Sequence, residues 1–287
     1  MNPYFGRIGD VWKHLVLTEV VDSIRPALYL ESHAGSAFYP LSHSSDRDFG
    51  VYAFLDSGTI HPALRETRYY RLLRGLPADD SGYPKRYPGS SALVMTLLGT
   101  SATYGLWDLD GESVRDLREA ASQLGITKGV RISRSDGLDG VEDEARRLGA
   151  EGQTNAVVFI DPFDPFERSA RGKLDAIQVA RLLAQRGVPL VYWYGFDDEG
   201  ERGWAWRALG NGGDGESKDS WGGEIGPGSA DGPGFFQDGI RGCGVICLNC
   251  ASSIAQVRRS ASALVGAYRE VRPGHSGVPG LRFEEFK

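Results

Sequence analysis

Hydrophobic positions along the chain follow two alternating spacings. Apolar residues recur every three to four positions over 11–24, 114–124 and 174–183, which predicts amphipathic helices. Short continuous apolar runs lie outside these segments and predict strands at 27–30, 104–109, 130–133, 155–160, 188–194, 245–248 and 281–286. Strands that alternate with helices indicate an α/β fold, with a mostly parallel, seven-stranded, Rossmann-like sheet.

Two segments break this alternation within what we interpret as a single domain over 1–287. Residues 38–86 follow the first strand and are interpreted as an inserted helical subdomain. Residues 197–241 are interpreted as a long glycine-rich acidic loop, because fourteen glycines lie between Gly200 and Gly242, and ten acids face three basic residues over 197–238.

Composition and charge narrow the class of protein. The chain has 287 residues, 41% of them hydrophobic, which is typical of a globular protein with a substantial core. The chain has 32 basic and 38 acidic residues, which give a net charge of −6. It therefore lacks the excess of basic residues that is typical of a general nucleic-acid binder. Without an apolar run of about 18 residues or a secretion signal, we expect a soluble, cytoplasmic protein that contacts no membrane.

The three cysteines are interpreted as buried core thiols. Cys243, Cys247 and Cys250 lie in and around an apolar run, and no nearby histidine completes a tetrahedral set of ligands. We therefore expect no metal site.

Polar and small residues follow the predicted strands, at the edge where parallel sheets bind ligands. The first strand runs into Glu31-Ser32-His33-Ala34-Gly35, whose small residues let a ligand approach the backbone. Asp108, Asp136 and Asp161 follow the second, third and fourth strands. Asp108 suits two ribose hydroxyls, although an acid in such a position also serves as a helix cap.

The turn after the first strand bears on the class of cofactor. A nicotinamide enzyme normally shows a Gly-x-Gly-x-x-Gly turn, which residues 33–37 (HAGSA) do not supply. Sites for S-adenosylmethionine (SAM) tolerate a looser turn. A nicotinamide oxidoreductase stays an alternative because an aspartate after the second strand suits any adenosine ribose.

Six spaced motifs then point to one family. They are Gly9-Asp10-Val11-Trp12-Lys13-His14, Leu28-Tyr29-Leu30-Glu31-Ser32-His33-Ala34-Gly35, Tyr87-Pro88-Gly89-Ser90, Ser135-Asp136-Gly137, Ile160-Asp161-Pro162 and Trp193-Tyr194. In this order they resemble the motifs of the RlmJ family, SAM-dependent methyltransferases that modify the exocyclic N6 amine of an adenine in large-subunit ribosomal RNA. The resemblance covers nearly the whole chain and implies a Rossmann-like methyltransferase fold, with SAM as the cofactor.

The resemblance also implies roles for individual residues. Asp161 would be catalytic, orienting the acceptor nitrogen for direct in-line methyl transfer, while Asp108 would hold the ribose of SAM and Asp136 its adenine. The candidate cofactor-binding residues are Lys13, His14, His33, Gly35, Ser90, Asp108, Asp136, Gly137 and Asp161.

The catalytic motif departs from that of the family. The family has Asp-Pro-Pro-Tyr, whereas this chain has Asp161-Pro162-Phe163-Asp164. The fourth residue of the family motif stacks on a flipped base, which Asp164 cannot do. Either Phe163 or Phe166 supplies the ring instead, or the substrate is not adenine. The candidate substrate-binding residues are Tyr4, Phe163, Asp164, Phe166 and Trp193.

Three readings of the function follow. Asp164 and the acidic loop favour a small-molecule amine as methyl acceptor, because acids repel a phosphate backbone. The family resemblance implies an RNA adenine. A decayed motif would leave a SAM-binding protein without catalysis.

Overall fold

The fold is built on one large β-sheet with helices on both faces, here described from a computed structural model. The structure describes residues 4–151, 155–164, 166, 168–172, 174–209, 219–228, 240–269 and 280–286. The strands in these ranges are β1 (Leu28–Glu31), β2 (Phe38–Pro40), β3 (Arg86–Pro88), β4 (Thr103–Asp108), β5 (Val130–Arg134), β6 (Ala156–Ile160), β7 (Leu190–Phe196), β8 (Trp221–Pro227), β9 (Gly242–Leu248) and β10 (Leu281–Phe286).

Helices connect and cover these strands. The α-helices of the described ranges are α1 (Ile8–Ile24), α2 (Ser45–Arg47), α3 (Ala53–Ile60), α4 (Pro62–Arg65), α5 (Arg68–Arg74), α6 (Ser90–Leu98), α7 (Gly111–Gln123), α8 (Gly137–Glu151), α9 (Ala176–Gln185), α10 (Trp204–Ala208) and α11 (Ala251–Arg269). A π-helical turn covers Asp48–Tyr52 and joins α2 to α3. No helix in these ranges combines the length and the apolar character that a bilayer span requires.

The main sheet has the strand order β10-β8-β9-β7-β6-β1-β4-β5. Strands β5, β4, β1, β6 and β7 run parallel to one another, whereas β9, β8 and β10 are added to β7 by antiparallel pairing. The predicted α/β fold with a mostly parallel sheet is confirmed. In the described residues this sheet has eight strands rather than the predicted seven.

The additional strand, β8, lies in the segment 197–241 that the sequence predicted to be a loop. That prediction is wrong for Trp204–Ala208, which is helical, and for Trp221–Pro227, whose first six residues are buried. The glycines of β8 have a packing reason: a Cβ at Gly222 would lie 2.7 Å from the Trp206 ring. The remaining parts of the predicted loop, 210–218 and 229–239, lie outside the described residues.

Two apolar cores lie on opposite faces of the sheet. The alternation of side chains along β6 sends Val157 and Phe159 to one core, with α1, α6 and α11, and Val158 and Ile160 to the other, with α8 and α9. Helix α1 packs along α11. The three cysteines are buried as free thiols, with at most 1% exposure for Cys243.

Residues between β2 and β3 form a helical layer beside α1. Strands β2 and β3 pair with each other as a separate antiparallel ribbon, and α2 to α5 lie between them in the chain. Helix α5 packs on α1, and α4 packs on α11. This layer therefore borders the amino-terminal part of the molecule, which carries one wall of the site described next.

Candidate active site

A cavity of about 410 Å³ opens at the carboxyl ends of β1, β4 and β6. This position matches the ligand crevice of open α/β sheets, at the point where the strand order reverses. The candidate residues that line it are Tyr4, Lys13, His14, His33, Gly35, Ser90, Asp108, Asp161, Phe163 and Trp193. The structure therefore brings together residues from five of the six predicted motifs.

Lys13 and Asp161 form the central ion pair of the cavity. Lys13 Nζ lies 2.7 Å from Asp161 Oδ2 and 2.9 Å from Asp10 Oδ1. Burial alone would lower the pKa of Lys13, but the Asp10 and Asp161 carboxylates raise that pKa above its ordinary value. Lys13 therefore stays protonated, and the three side chains together carry a net charge of one negative unit.

The second oxygen of Asp161 is available for a ligand. Lys13 bonds Oδ2, whereas Oδ1 accepts no hydrogen bond from any described residue. Asp161 follows β6, whose five residues are all buried. The buried strand therefore fixes the backbone position of Asp161. A hydrogen bond from a ligand to Oδ1 would leave the bond between Lys13 and Oδ2 in place.

His14 is buried and neutral. Its Nδ1 lies 2.8 Å from the hydroxyl of Tyr87, which in turn lies 2.8 Å from the hydroxyl of Tyr69. Burial, assisted by the charge of Lys13, lowers the pKa of His14 to about 3. The histidine thus adds no positive charge to the cavity and holds Tyr87 in the wall.

A second buried carboxylate, Glu31, supports the wall beneath Ser90. Its oxygens accept hydrogen bonds from Ser90 Oγ, from Ser91 Oγ at 2.6 Å and from the Tyr29 hydroxyl at 2.9 Å. Burial raises the pKa of Glu31 to about 7; these hydrogen bonds lower the pKa, and the nearby charge of Asp161 raises it. Glu31 thereby joins the end of β1 to the first turn of α6.

Asp108 shapes the turn after β1. Oδ2 of Asp108 accepts a hydrogen bond from Gly35 N at 2.8 Å, and Oδ1 accepts one from Asp110 N at 2.7 Å. Gly35 has a φ of +58°, a conformation that glycine adopts without strain. Each carboxylate oxygen keeps a further lone pair, so Asp108 can still accept from a ligand hydroxyl.

His33 lies beside this turn in the cavity wall. The Oγ of the preceding Ser32 is 2.7 Å from His33 Nδ1. This contact orients the imidazole ring. The second ring nitrogen, Nε2, is also a polar atom that can donate or accept a hydrogen bond.

Asp136 and Gly137 lie outside the residues that line the cavity. Asp136 Oδ1 accepts from the backbone N–H groups of Leu138 and Asp139, as a helix cap does, and Oδ2 accepts from Ala170 N at 2.8 Å. Gly137 packs against the end of β1, since a Cβ there would lie 1.6 Å from Ser32 O. Their predicted contacts with the adenine of SAM stay a prediction.

The segment Asp161-Pro162-Phe163-Asp164 presents one ring to the cavity. Phe163 lines it and is 82% exposed. Asp164 and Phe166 do not line it: Asp164 Oδ1 accepts from Phe166 N at 2.9 Å, and the Phe166 ring lies 5.1 Å from that of Trp204. The carboxylate of Asp164 is therefore used within its own turn.

Some residues of the cavity wall were not predicted as site residues. They are Phe5, Arg7, Gly9, Asp10, Ala34, Tyr39, Tyr87, Gly89, Asp110, Ser113, Pro162 and Ile240. Asp10 was within reach of sequence reasoning, because it lies one helical turn before Lys13 on α1. Tyr39 and Tyr87 depend on the pairing of β2 with β3, which sequence periodicity does not reveal.

The cavity carries a negative balance of charge, which complements a positively charged ligand. Among its described lining residues, four carboxylates (Asp10, Asp108, Asp110 and Asp161) face two basic side chains, Arg7 and Lys13. This negative balance complements the sulfonium of SAM. Within the described ranges, no group of three or more histidine, cysteine, aspartate or glutamate side chains is arranged to hold a metal.

Comparison with known proteins supports the resemblance drawn from the motifs. No family model matches the sequence. The chain is 26% identical, over 170 residues, to ribosomal RNA large subunit methyltransferase J of Escherichia coli strain K12. That match covers 56% of this chain and 56% of the relative, so it spans little more than half of either protein. The resemblance to the RlmJ family is thereby confirmed as a sequence similarity.

A solved structure shares the fold over nearly its whole length. The crystal structure of protein LPL1258 from Legionella pneumophila strain Philadelphia 1, described as a DUF519 family protein, has a TM-score of 0.74 to this chain. The two are 18% identical, and the match covers 99% of this chain and 98% of that one. The shared architecture includes both the sheet and the helical layer.

Proposed function

We propose that this protein, similar over part of its length to a ribosomal RNA methyltransferase, is a SAM-dependent N-methyltransferase whose acceptor is an adenine amine in RNA. The observation that carries the proposal is the position of Asp161: its carboxylate follows β6, keeps Oδ1 available and lies in a cavity whose net charge is negative. SAM, when bound, supplies the electrophilic methyl group.

Several residues are suited to hold the cofactor. Asp108 can accept from ribose hydroxyls, and the turn at Gly35 lets the ligand approach the backbone. The net negative set of Asp10, Lys13 and Asp161 offsets the sulfonium charge. His33 and Ser90 complete the wall. The volume of about 410 Å³ falls within the range of small-molecule sites.

Asp161 would then orient the acceptor. Oδ1 accepts a hydrogen bond from the exocyclic N–H, which directs the nitrogen lone pair toward the methyl group. Methyl transfer would release S-adenosylhomocysteine and one proton from the nitrogen, and the Asp161 carboxylate that accepts from this N–H group could take that proton. Lys13 cannot take this proton because its raised pKa keeps it protonated.

Phe163 favours a flat acceptor over a simple aliphatic amine. Its ring is exposed at the cavity mouth, two residues after Asp161, where it can stack on a base turned out of its helix. Asp164 and the acidic segment 197–241 are the features that would favour a small-molecule amine. Asp164 is used within its own turn, and one of the ten acids, Glu224, is buried on β8.

The test uses labelled SAM with two acceptor pools, large-subunit ribosomal RNA lacking modification and a small-molecule cell extract. We expect label in RNA adenine, and a loss of turnover of about 100-fold or more in Asp161→Asn. The matched control, Asp164→Asn, removes an exposed carboxylate of the same motif and should keep nearly full activity.

Each other outcome contradicts a defined part of the proposal. Label that enters only the extract would replace RNA by a small-molecule acceptor. SAM binding without transfer to either pool would show a non-catalytic SAM-binding protein. Equal activity in Asp161→Asn and Asp164→Asn would remove Asp161 from the mechanism.

A further inference from the structure

A groove rich in arginine lies on the helical layer, outside the cavity. It has a volume of about 590 Å³ and is lined by Pro62, Arg65, Glu66, Tyr70, Arg71, Arg74 and Gly75. We call it the arginine groove. Three guanidinium groups and one carboxylate give it a net positive charge, in a protein whose overall charge is −6.

Arg74 is held in place without being neutralised. Its Nε donates to the Tyr70 hydroxyl at 3.1 Å, Nη1 to Gly82 O at 3.0 Å and Nη2 to Leu55 O at 3.1 Å. The guanidinium also lies over the Tyr70 ring, 5.4 Å from its centre. All these partners are uncharged, so the full positive charge faces the groove in a fixed orientation.

Arg65 and Arg71 add exposed positive charge beside it. Both side chains are exposed, and neither forms an ion pair with any residue in the described part of the chain. Arg68, on the same helix as Arg71, differs because its Nη2 lies 2.6 Å from Asp22 Oδ2. Like charges gathered on one face repel each other, and a polyanion would relieve that repulsion.

Contacts run from the arginine groove to the mouth of the cavity. Arg74 reaches Gly82, whose neighbour Tyr83 packs edge-on against the exposed ring of His43. His43 in turn contacts Asp48, which follows Arg47, and the Arg47 guanidinium lies 4.8 Å from the centre of the Phe5 ring. Phe5 lines the cavity. These contacts connect the arginine groove to the cavity wall through the helical layer.

We infer that the arginine groove binds the phosphate backbone of the RNA that carries the acceptor base. The inference rests on the proposed function, whose acceptor it places within a larger nucleic acid. Guanidinium groups bind phosphate oxygens through paired N–H donors, which the exposed Arg65 and Arg71 can supply, while Arg74 adds a fixed positive charge. The acidic character of the whole protein then matters less than this one positive face.

The test measures binding of a fluorescently labelled hairpin RNA to the full chain by anisotropy, over a series of salt concentrations. In Arg65→Glu/Arg71→Glu we expect affinity to fall about tenfold or more, with the slope of log K against log salt reduced by about 1.5. The matched control is Arg115→Glu/Arg118→Glu, which reverses two exposed charges on α7. SAM affinity, measured by titration calorimetry, should be unchanged in both.

The inference is overturned if the two double variants weaken RNA binding equally, or if neither weakens it. It is also overturned if the wild-type protein and Arg65→Glu/Arg71→Glu bind the hairpin with the same affinity. Failure of the proposed function gives a different result: the groove variant loses RNA binding, while the wild type binds SAM and transfers no methyl group to RNA.

Discussion

The Nζ atom of Lys13 lies 2.7 Å from Oδ2 of Asp161, so the carboxylate that would orient an amine already holds an ammonium group. Asp10 lies on the other side of the same lysine. Each of the three side chains is at most 16% exposed, so water screens their charges poorly. This pairing leads to the first prediction.

Replacing Lys13 by methionine should destabilise the protein, because it leaves two poorly solvated carboxylates without their shared cation. We expect a loss of about 3 kcal/mol in the free energy of unfolding, measured by urea denaturation at neutral pH. In Lys13→Met/Asp161→Asn part of this loss should be recovered. Strictly additive effects of the two substitutions would show that the ion pair contributes nothing.

Removing the Phe163 ring should weaken binding of the acceptor and leave the cofactor untouched. Stacking of a base on an aromatic ring contributes about 1–3 kcal/mol, so Phe163→Ala should raise the KM for RNA by roughly tenfold or more. The control is Phe166→Ala, whose ring packs near Trp204 outside the cavity. A larger effect in the control would assign the stacking ring to Phe166 instead.

Glu31 should make the stability of the protein depend on pH. Its pKa is raised from 4.5 to about 7, so the folded state binds the proton more tightly than the unfolded state does. Stability associated with this group is therefore present below pH 4.5 and lost as pH rises through 7, at up to about 1.4 kcal/mol per pH unit.

Glu31→Gln removes this titration and keeps an oxygen that can accept from Ser90 and Ser91. The stability of the variant relative to the wild type should therefore increase from pH 5 to pH 7.5, as measured by parallel urea denaturation curves. A difference that stays constant over this range would mean that Glu31 titrates normally.

The close packing of Gly137 on β1 predicts a severe effect of one added methyl group. A Cβ at this position would lie 1.6 Å from Ser32 O, a backbone atom that cannot move without shifting the turn after β1. We expect Gly137→Ala to lower the free energy of unfolding by about 3 kcal/mol or more. SAM binding should weaken as well, because that turn carries His33 and Gly35.

Gly266→Ala is the matched control for this substitution. Gly266 lies exposed on α11 with no atom within 4 Å of the added Cβ. Alanine favours the helix there, so stability should rise by up to about 1 kcal/mol. A comparable loss in both variants would contradict the packing explanation.

Most strands of the sheet could be predicted from the sequence. The exception is a strand whose composition is typical of a loop. β6 and β9 are uninterrupted apolar runs, and such runs are hard to place anywhere except in a buried sheet. β8 (WGGEIGP) has the composition of a loop, since it contains Gly222, Gly223 and Gly226. Only the structure shows that Trp206, Trp221 and Phe286 fill the space beside Gly222 and Gly223.

The sequence identified candidate site residues that lie next to the end of a strand or helix. It did not identify the side chains with which those residues pair. The position of Asp161 follows from the end of β6, but its pairing with Lys13 joins residues that are distant in the chain. Asp136 and Asp108 have similar sequence contexts, because each is an aspartate that follows a predicted strand. The structure separates them, because Asp108 lines the cavity while both oxygens of Asp136 accept from backbone N–H groups outside it.

The packing of α1 along α11 has a consequence for the order in which the molecule is assembled. Lys13 lies on α1, near the start of the sequence, and α11 begins only at Ala251. A nascent polypeptide that has already formed β1, β4 and β6 still lacks the helix that packs along α1. Contacts between such distant segments form slowly because a long loop must close first. We therefore expect the helix α1 that carries Lys13 to reach its final packing late in folding, so that incomplete polypeptides bind the ligand less well than the finished protein.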